Sequence, residues 1–405
     1  MPLPLDGILV LELSHIIAGP YCGSILADYG AECIKVEPPG RGDRGRATVP
    51  FIQGASGPLS SFFYTLGRGR KGITLDLKSQ DGKQVFLDLA KRADVVLENF
   101  TPGTMDKLGL GYETLRGANP RIVYAAISGF GQMKGLHGPY SEWPANNAVA
   151  QAMGGLSELS SDASGSPGFV GAAIGDTIPG IWAALGIVLA IQQRQKTGVG
   201  QFIDVAMYDS MAAICWKSVA DYSATRIPPR RGAADGWRGT FTTILKCGEG
   251  YIAVSLWGDQ PKRWKALWDM AGHPEYYGDP RYDHDHPGDA HVKPNLKVAL
   301  EEWLSDKTAW EATRLLVGIG FSVGPVQNAK DIHDCPQLAA RGAFVEVDVG
   351  GKRIKAPGAP VRMSDVEARE PARGPHLGEH TDEVLKRLLG YSAEQLKALH
   401  EKGVC

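Results

Sequence analysis

The residues 171–180 read Gly-Ala-Ala-Ile-Gly-Asp-Thr-Ile-Pro-Gly and hold a single acid, Asp176, in small and apolar company. An apolar run, Ile181 to Ile191, follows it and reads as a buried helix. A carboxylate where such a helix begins has two chemistries. It can cap the helix by accepting hydrogen bonds from the free N–H groups of the first turn. It can also act as a nucleophile held in a dry pocket beside those same donors. Local sequence leaves both open.

Other groups with chemistry to offer are spread along the chain. Two basic loops, residues 40–46 (with Arg41, Arg44 and Arg46) and residues 68–71 (with Arg68, Arg70 and Lys71), flank predicted strands. Guanidinium forks suit phosphates, and two such loops at the edges of one sheet point to a polyphosphate ligand, with solvated surface loops as the alternative. Arg230, Arg231 and Arg238 lie in a Pro-, Arg- and Gly-rich linker and could pair with an additional carboxylate of a dicarboxylic acid, or with phosphates or solvent. His15 and His137 read as loop or polar-core side chains. The six cysteines, Cys22, Cys33, Cys215, Cys247, Cys335 and Cys405, contain no CxxC pair. They read as reduced thiols of a cytoplasmic protein, and no metal site is expected.

Glu37 closes a predicted strand where an acid could hold a ribose, but residues 18–23 read Ala-Gly-Pro-Tyr-Cys-Gly rather than GxGxxG. Pro20 and Tyr21 stand where backbone would have to approach a pyrophosphate, so a nicotinamide or flavin cofactor is not expected, and there is no phosphate-binding GxxxxGK[ST] loop. A net charge of −2 gives no support to a nucleic-acid or membrane partner. The N-terminus lacks the features of a signal peptide. The apolar run at 181–191 reads as too short to span a bilayer.

The elements that must position these groups follow from periodicity. Strands are predicted over 8–13, 32–37, 73–77, 93–98, 122–128 and 200–206. Helices are predicted over 21–29, 81–92, 145–155 and 208–221, with a short one beginning at Pro102. Strand–helix–strand alternation predicts a parallel sheet with a crevice at the strands' C-terminal ends. From Phe241 the pattern changes to a hairpin, 241–246 with 251–256, followed by helices near 261–271, 292–304 and 308–318. The expectation is therefore an α/β protein: a large domain from residues 1–224, a linker and small α+β lobe from 225–325, and a return to the large domain over 326–405.

Seven stretches, in order, carry a resemblance that extends over essentially the whole chain. They are residues 6–14 and 18–20 with 30–37, 75–78 (Leu-Asp-Leu-Lys), 98–103 (Glu-Asn-Phe-Thr-Pro-Gly), 129–131 (Gly-Phe-Gly), 171–180, 324–326 (Gly-Pro-Val) and 377–383. Together they resemble the class III CoA-transferases, which include formyl-CoA transferase, the carnitine CoA-transferases and the α-methylacyl-CoA racemases. The resemblance implies a Rossmann-like large domain with a smaller lobe, assembled as an interlocked homodimer.

It places Asp176 on the catalytic aspartate and the backbone of Ile16 and Ala18 at the thiol end of CoA. Leu75 and Lys78 fall at the adenine-nucleotide pocket. Asn99, Phe100, Thr104 and Lys107 fall along the pantetheine and phosphate channel. CoA and acyl-CoA are then substrates, with no tightly bound cofactor. The donor is an acyl-CoA and the acceptor a free carboxylic acid. The two basic loops and the linker arginines, rather than the resemblance, add the expectation of a dicarboxylic acid such as succinate or a branched relative, hence a donor such as succinyl-CoA or another dicarboxylyl-CoA. Backbone N–H groups of the 129–131 loop and of the helix start after Asp176 are expected to hold the oxyanions.

Three departures stand out. Ile17 replaces a glutamine of formyl-CoA transferase, Asn147 lies near the place of a glutamate, and residues 232–238 replace a mobile tetraglycine loop. The racemases pair the aspartate with a histidine where Asn146 stands here, and an asparagine cannot act as a general base. Transfer is therefore expected over racemisation, with a non-catalytic CoA-binding protein as the rival from another class.

Overall fold

The computed structural model describes residues 1–54, 57–160, 166–228, 239–366 and 371–405. Two compact units are present, one formed by Met1–Pro228 with Gln337–Cys405 and the other by Pro229–Pro336.

In the first unit the sheet elements are β1 (Leu9–Leu13), α1 (Ala18–Asp28), β2 (Glu32–Glu37), β3 (Arg70–Thr74), α2 (Gln80–Ala90), β4 (Val95–Glu98), β5 (Val123–Ser128), α3 (Asn147–Met153), α4 (Ile174–Thr197) and β6 (Phe202–Ala206). All six strands pair in parallel, in the order β3-β2-β1-β4-β5-β6. The order winds outward in both directions from β1 and β4. The loops that leave these two strands turn to opposite sides and open a crevice at their C-terminal ends.

Parallel strands bury both faces, and β1 shows how the alternation is used. Leu9, Leu11 and Leu13 pack with Phe86 and Leu89 of α2 on one side. Val10 packs on the other side with Cys22 of α1 and Ala183 and Ile187 of α4. Glu12, on that same side, is fully buried and charged.

The sequence expected β3 at 73–77, with the basic residues before it in a loop. Instead Arg70 pairs with Cys33 in the ladder and Thr74 with Glu37. An arginine is admitted to a buried strand because its guanidinium meets Glu12 at 2.7 Å. The rest of that basic loop is also spoken for. Arg68 pairs with Asp28 at 2.6 Å, and Lys71 lies 3.6 Å from Glu32 and pairs with Glu383. The expectation of a second phosphate-binding loop at 68–71 is thus overturned by internal ion pairs.

Other boundaries shift for local reasons. The short helix expected at Pro102 begins at Thr104, behind Gly103 with φ +76°. The helix expected over 208–221 breaks at Cys215 into Met207–Ile214 and Trp216–Thr225. Two hairpins, Phe51–Gly54 with Gly57–Ser60 and Phe344–Val349 with Lys352–Pro357, were not expected. Their short strands cover Phe63 and Tyr64 with Val347 and Val349, a contact between segments far apart in sequence.

Helix α4 is longer than its apolar run. It has 24 residues, and an 18-residue window within it has a mean hydropathy of 1.8, so by length and composition alone it could cross a membrane, which corrects the expectation of a run too short to do so. Its inner face, with Ala183, Ala184, Ile187 and Ala190, packs against α1 and the sheet as a core helix does. Gly180 brings it close: a Cβ there would lie 2.7 Å from the carbonyl oxygen of Ala18.

The second unit has a three-stranded antiparallel sheet, Ser322–Pro325, Tyr251–Trp257 and Thr240–Lys246 in spatial order. Helices Pro261–Ala271, Lys293–Trp303 and Ala309–Gly318 cover a core built on Trp264, Trp268 and Phe241.

The close approach at Gly180 yields a test. Gly180→Ala must push α4 off α1, at a cost of about 1–3 kcal/mol for overpacking. Urea melts at constant slope should show the lowered midpoint.

Candidate active site

A cavity of about 470 Å³ opens at the C-terminal ends of the central strands, and His15, Ile16, Ala18, Asn99, Phe100 and Asp176 are on its wall. Beyond β1 the chain turns through Ile16 at φ +65°. A β-branched residue in the left-handed region costs of order 1–3 kcal/mol and persists only when its surroundings fix it. Here they do. Asn99, just after β4, accepts from the His15 N–H at 2.7 Å and donates to the His15 carbonyl at 2.9 Å. Asp43 accepts from the Ile16 N–H at 3.1 Å and the Gly45 N–H at 2.8 Å.

Asp43 is itself held by charge. Lys35 of β2 meets it at 2.8 Å, lies 3.2 Å from Glu12, and donates to the Ser14 carbonyl at 2.8 Å. Burial works against the charge of Lys35, yet Glu12 and Asp43 outweigh it and raise the Lys35 pKa. Burial likewise opposes the Asp43 carboxylate, and Lys35 reverses the effect and lowers its pKa. Glu37, considered as a ribose ligand, instead pairs with Arg46 at 2.6 Å and accepts from the Asp43 N–H at 2.7 Å.

The glycines of the failed dinucleotide fingerprint have a packing role. A Cβ on Gly19 would lie 2.2 Å from Ser14 Cβ, and one on Gly23 would lie 2.3 Å from a Glu12 carboxylate oxygen. They let α1 rest on the buried charges. The N-terminus of α1 stays open: Ile17 offers no side-chain cap, and Pro20 has no N–H. Among the described residues no acceptor meets the N–H groups of Ala18 and Gly19. Ala18 is on the cavity wall, so the positive end of the helix dipole borders the cavity.

Helix α4 is arranged oppositely. Its N-cap is Ala173, so Asp176 sits at the third helical position and is not the cap. The Gly175 N–H donates to Asn147 of α3 at 2.8 Å, and the Asp176 and Thr177 N–H groups donate to the Ala173 carbonyl at 3.0 and 2.9 Å. Asn147 therefore caps α4 from another helix, and the carboxylate of Asp176 is left for other work. The expected oxyanion donors at this helix start are already engaged, as is the Gly131 N–H, which donates to Ser128 Oγ at 3.0 Å. Burial pushes the Asp176 carboxyl up to about 6.

Of the predicted site residues, the cavity gathers Asp176, Ile16, Ala18, Asn99 and Phe100. Leu75 is buried in the core with Phe86, and Lys78, Thr104 and Lys107 lie outside the cavity lining. Asn146 is on the cavity wall and caps α3 through the Val149 N–H at 3.1 Å. His137 is exposed and off the wall. His15 is on it, against Phe100 at 5.0 Å between ring centroids, and burial lowers its pKa. The reading of His15 as a loop or polar-core side chain fits its burial, whereas sequence reading missed Asp43 and Asn147 as supports, because each acts through backbone groups distant in sequence. Arg230, Arg231, Arg238 and the segment replacing the tetraglycine loop lie outside the described residues.

The family model for CoA-transferase family III matches residues 5–381. The chain belongs to this family. It is 34% identical over 388 residues to the succinyl-CoA:mesaconate CoA-transferase of Haloarcula hispanica, covering 94% of this chain and 95% of that one. It is 35% identical over 435 residues to the formyl-CoA:oxalate CoA-transferase of Bradyrhizobium sp. (strain ORS 278), covering 100% and 97%. Among solved structures, a CAIB/BAIF family protein from Brucella suis superposes with a TM-score of 0.86 at 30% identity, covering 96% of this chain and 100% of that one.

The raised Asp176 pKa sets a sign. A carboxyl raised to about 6 is a nucleophile or base only once ionised, so any acyl-CoA activity that depends on Asp176 should lose kcat/KM as pH drops through about 6. Stability runs the other way, because ionising the buried group opposes folding. Asp176→Asn should melt above the parent protein at pH 8, and the difference should vanish below about pH 4, where both folded and unfolded forms are protonated.

Proposed function

We propose that this CoA-transferase family III member moves CoA from an acyl-CoA to a free carboxylic acid with Asp176 as the nucleophile. The observation that carries the reading is the carboxylate of Asp176, without a hydrogen-bond or ion-pair partner among the described residues, in one cavity with the open N-terminus of α1. An Asp176 oxygen attacks the thioester carbonyl, the C–S bond breaks, and CoA leaves as a thiolate from an aspartyl mixed anhydride. The thiolate attacks the Asp176 carbonyl, releases the donor acid and leaves an aspartyl-CoA thioester. The acceptor carboxylate attacks that carbonyl, expelling the thiolate and forming a second anhydride. Attack of the thiolate on the acceptor's carbonyl then gives the new acyl-CoA and restores the aspartate. Dividing the transfer into activated steps is what the enzyme nucleophile contributes.

The Ala18 and Gly19 N–H groups supply dipoles for the thiolate and oxyanions. This replaces the donors expected at α4. Ile16, Asn99 and Phe100 line the thiol end of the CoA path, and Leu75, Lys78, Thr104 and Lys107 are assigned to its nucleotide end. The relatives named above act on succinyl-CoA with mesaconate and on formyl-CoA with oxalate, which supports dicarboxylic acids as the substrate class here. CoA compounds enter as substrates, with no tightly bound cofactor. The free, widely spread cysteines support a cytoplasmic protein, and the charge of −2 gives no support to nucleic-acid or membrane partners.

A homodimer is part of the reading. The outer face of α4 exposes Ile181, Trp182, Leu185, Val188 and Leu189, with Leu189 at 60%. Apolar stripes of this kind mark association surfaces. Light scattering should give two copies per particle, and Leu185→Glu with Leu189→Glu should lower that number or precipitate the chain; a parent protein that runs as a monomer ends the dimer reading.

A second reading, α-hydrogen exchange as in the racemases, is favoured by His15, whose Nδ1 is buried without a hydrogen-bond partner on the wall that also holds Asp176. One experiment separates the readings. The protein is incubated with an acyl-CoA, treated with hydroxylamine or borohydride, and its mass measured. Transfer predicts modification at Asp176 that is absent from Asp176→Ala. Fast exchange of the α-hydrogen with deuterium and no adduct would establish the second reading, and neither outcome would leave a CoA-binding protein without catalysis.

A further inference from the structure

The basic loop at 40–46 carries three arginines, and the structure separates them. Arg46 is locked to Glu37 through two hydrogen bonds at 2.8 and 2.6 Å and donates to the Pro375 carbonyl at 3.1 Å. Arg41 is on the wall of a second cavity of about 560 Å³, which does not include Asp176. Arg44 is on the wall of both cavities, together with His15, and so shares one wall with Asp176.

No acidic side chain among the described residues pairs with Arg44. The nearest acid in sequence, Asp43, does not neutralise it, since its oxygens are committed to Lys35 at 2.8 Å and to the N–H groups of Ile16 and Gly45 at 3.1 and 2.8 Å. Lys35 of β2 and Arg46 of the same loop both have carboxylate partners. A cavity that holds a nucleophilic carboxylate and one uncommitted guanidinium suits a substrate that is a thioester at one end and a carboxylate at the other. The planar fork binds a carboxylate through two parallel hydrogen bonds, which fixes direction as well as charge.

We propose that Arg44 is a specificity-determining residue that binds the distal carboxylate of a small dicarboxylic acyl group while its other end reaches Asp176. This rests on the transferase reading above and narrows it to a residue. Arg41, confined to the second cavity, is left to the phosphates of CoA. A dicarboxylic substrate oriented in this way presents one defined end to the nucleophile, and monocarboxylic acids lose that orientation.

The test compares succinate with butyrate as acceptors, and succinyl-CoA with butyryl-CoA as donors, in the parent protein, Arg44→Ala and Arg44→Lys. The expected result is a fall of at least about tenfold in the kcat/KM ratio of succinate over butyrate in Arg44→Ala. Arg44→Lys should fall between, because an ammonium keeps the charge and loses the fork. An equal rise in KM for both acyl-CoA donors with the acid ratio unchanged would overturn the proposal and assign Arg44 to CoA. An unchanged ratio with unchanged KM values would overturn it outright. Trapping of the Asp176 adduct from succinyl-CoA is run in parallel. An adduct in the parent protein with an unchanged acid ratio sinks only the role of Arg44, whereas no adduct in the parent protein sinks the transferase reading beneath it.

Discussion

The contact between Lys35 and Asp43 is the constraint on which the candidate site depends. Asp43 accepts from two backbone N–H groups, one in the loop after β1 and one in its own loop after β2, so it ties two cavity walls together. Taking that carboxylate out of water is affordable only because Lys35 meets it at 2.8 Å and is itself balanced by Glu12 and, through Glu12, by Arg70. Removing one partner from such a buried set typically costs about 3–5 kcal/mol, because the group left behind is an uncompensated charge. That magnitude exceeds the strain of holding Ile16 at positive φ, so the network can impose the loop's shape.

The two helix N-termini at the cavity are used in complementary ways. The first turn of α4 is closed by Asn147 and by its own Ala173 carbonyl, which leaves the Asp176 carboxylate without a capping duty. The first turn of α1 is open. A carboxyl pushed to about 6 by burial therefore shares a cavity with a helix start whose first N–H groups meet no acceptor among the described residues. Negative charge is moved onto and off sulfur and oxygen in the proposed transfer, and the open dipole favours it wherever it appears on that side.

Much of this was legible in the chain. The parallel sheet, the position of Asp176 at the start of an apolar helix and the change of pattern near Phe241 follow from runs of local residues, and local periodicity is what sequence encodes most directly. The family resemblance was legible for the same reason, since its seven stretches lie in order along the whole length. What escaped was long-range. Arg70 was read as loop because charge is foreign to a buried strand, and only Glu12, far away in sequence, makes it acceptable there.

Residue order along the chain sets which chemical groups are available: one acid in an apolar setting, a basic loop after the second strand, an asparagine after the fourth. The tertiary structure decided what each was free to do. Two basic loops looked alike, and folding consumed one in ion pairs while leaving Arg44 beside the cavity that holds Asp176. The same acid looked like a cap or a nucleophile, and Asn147 settled the capping from another helix. The physical reason is that a hydrogen bond or charge is defined by its partner, and these partners are brought within about 3 Å only by the packing of distant segments.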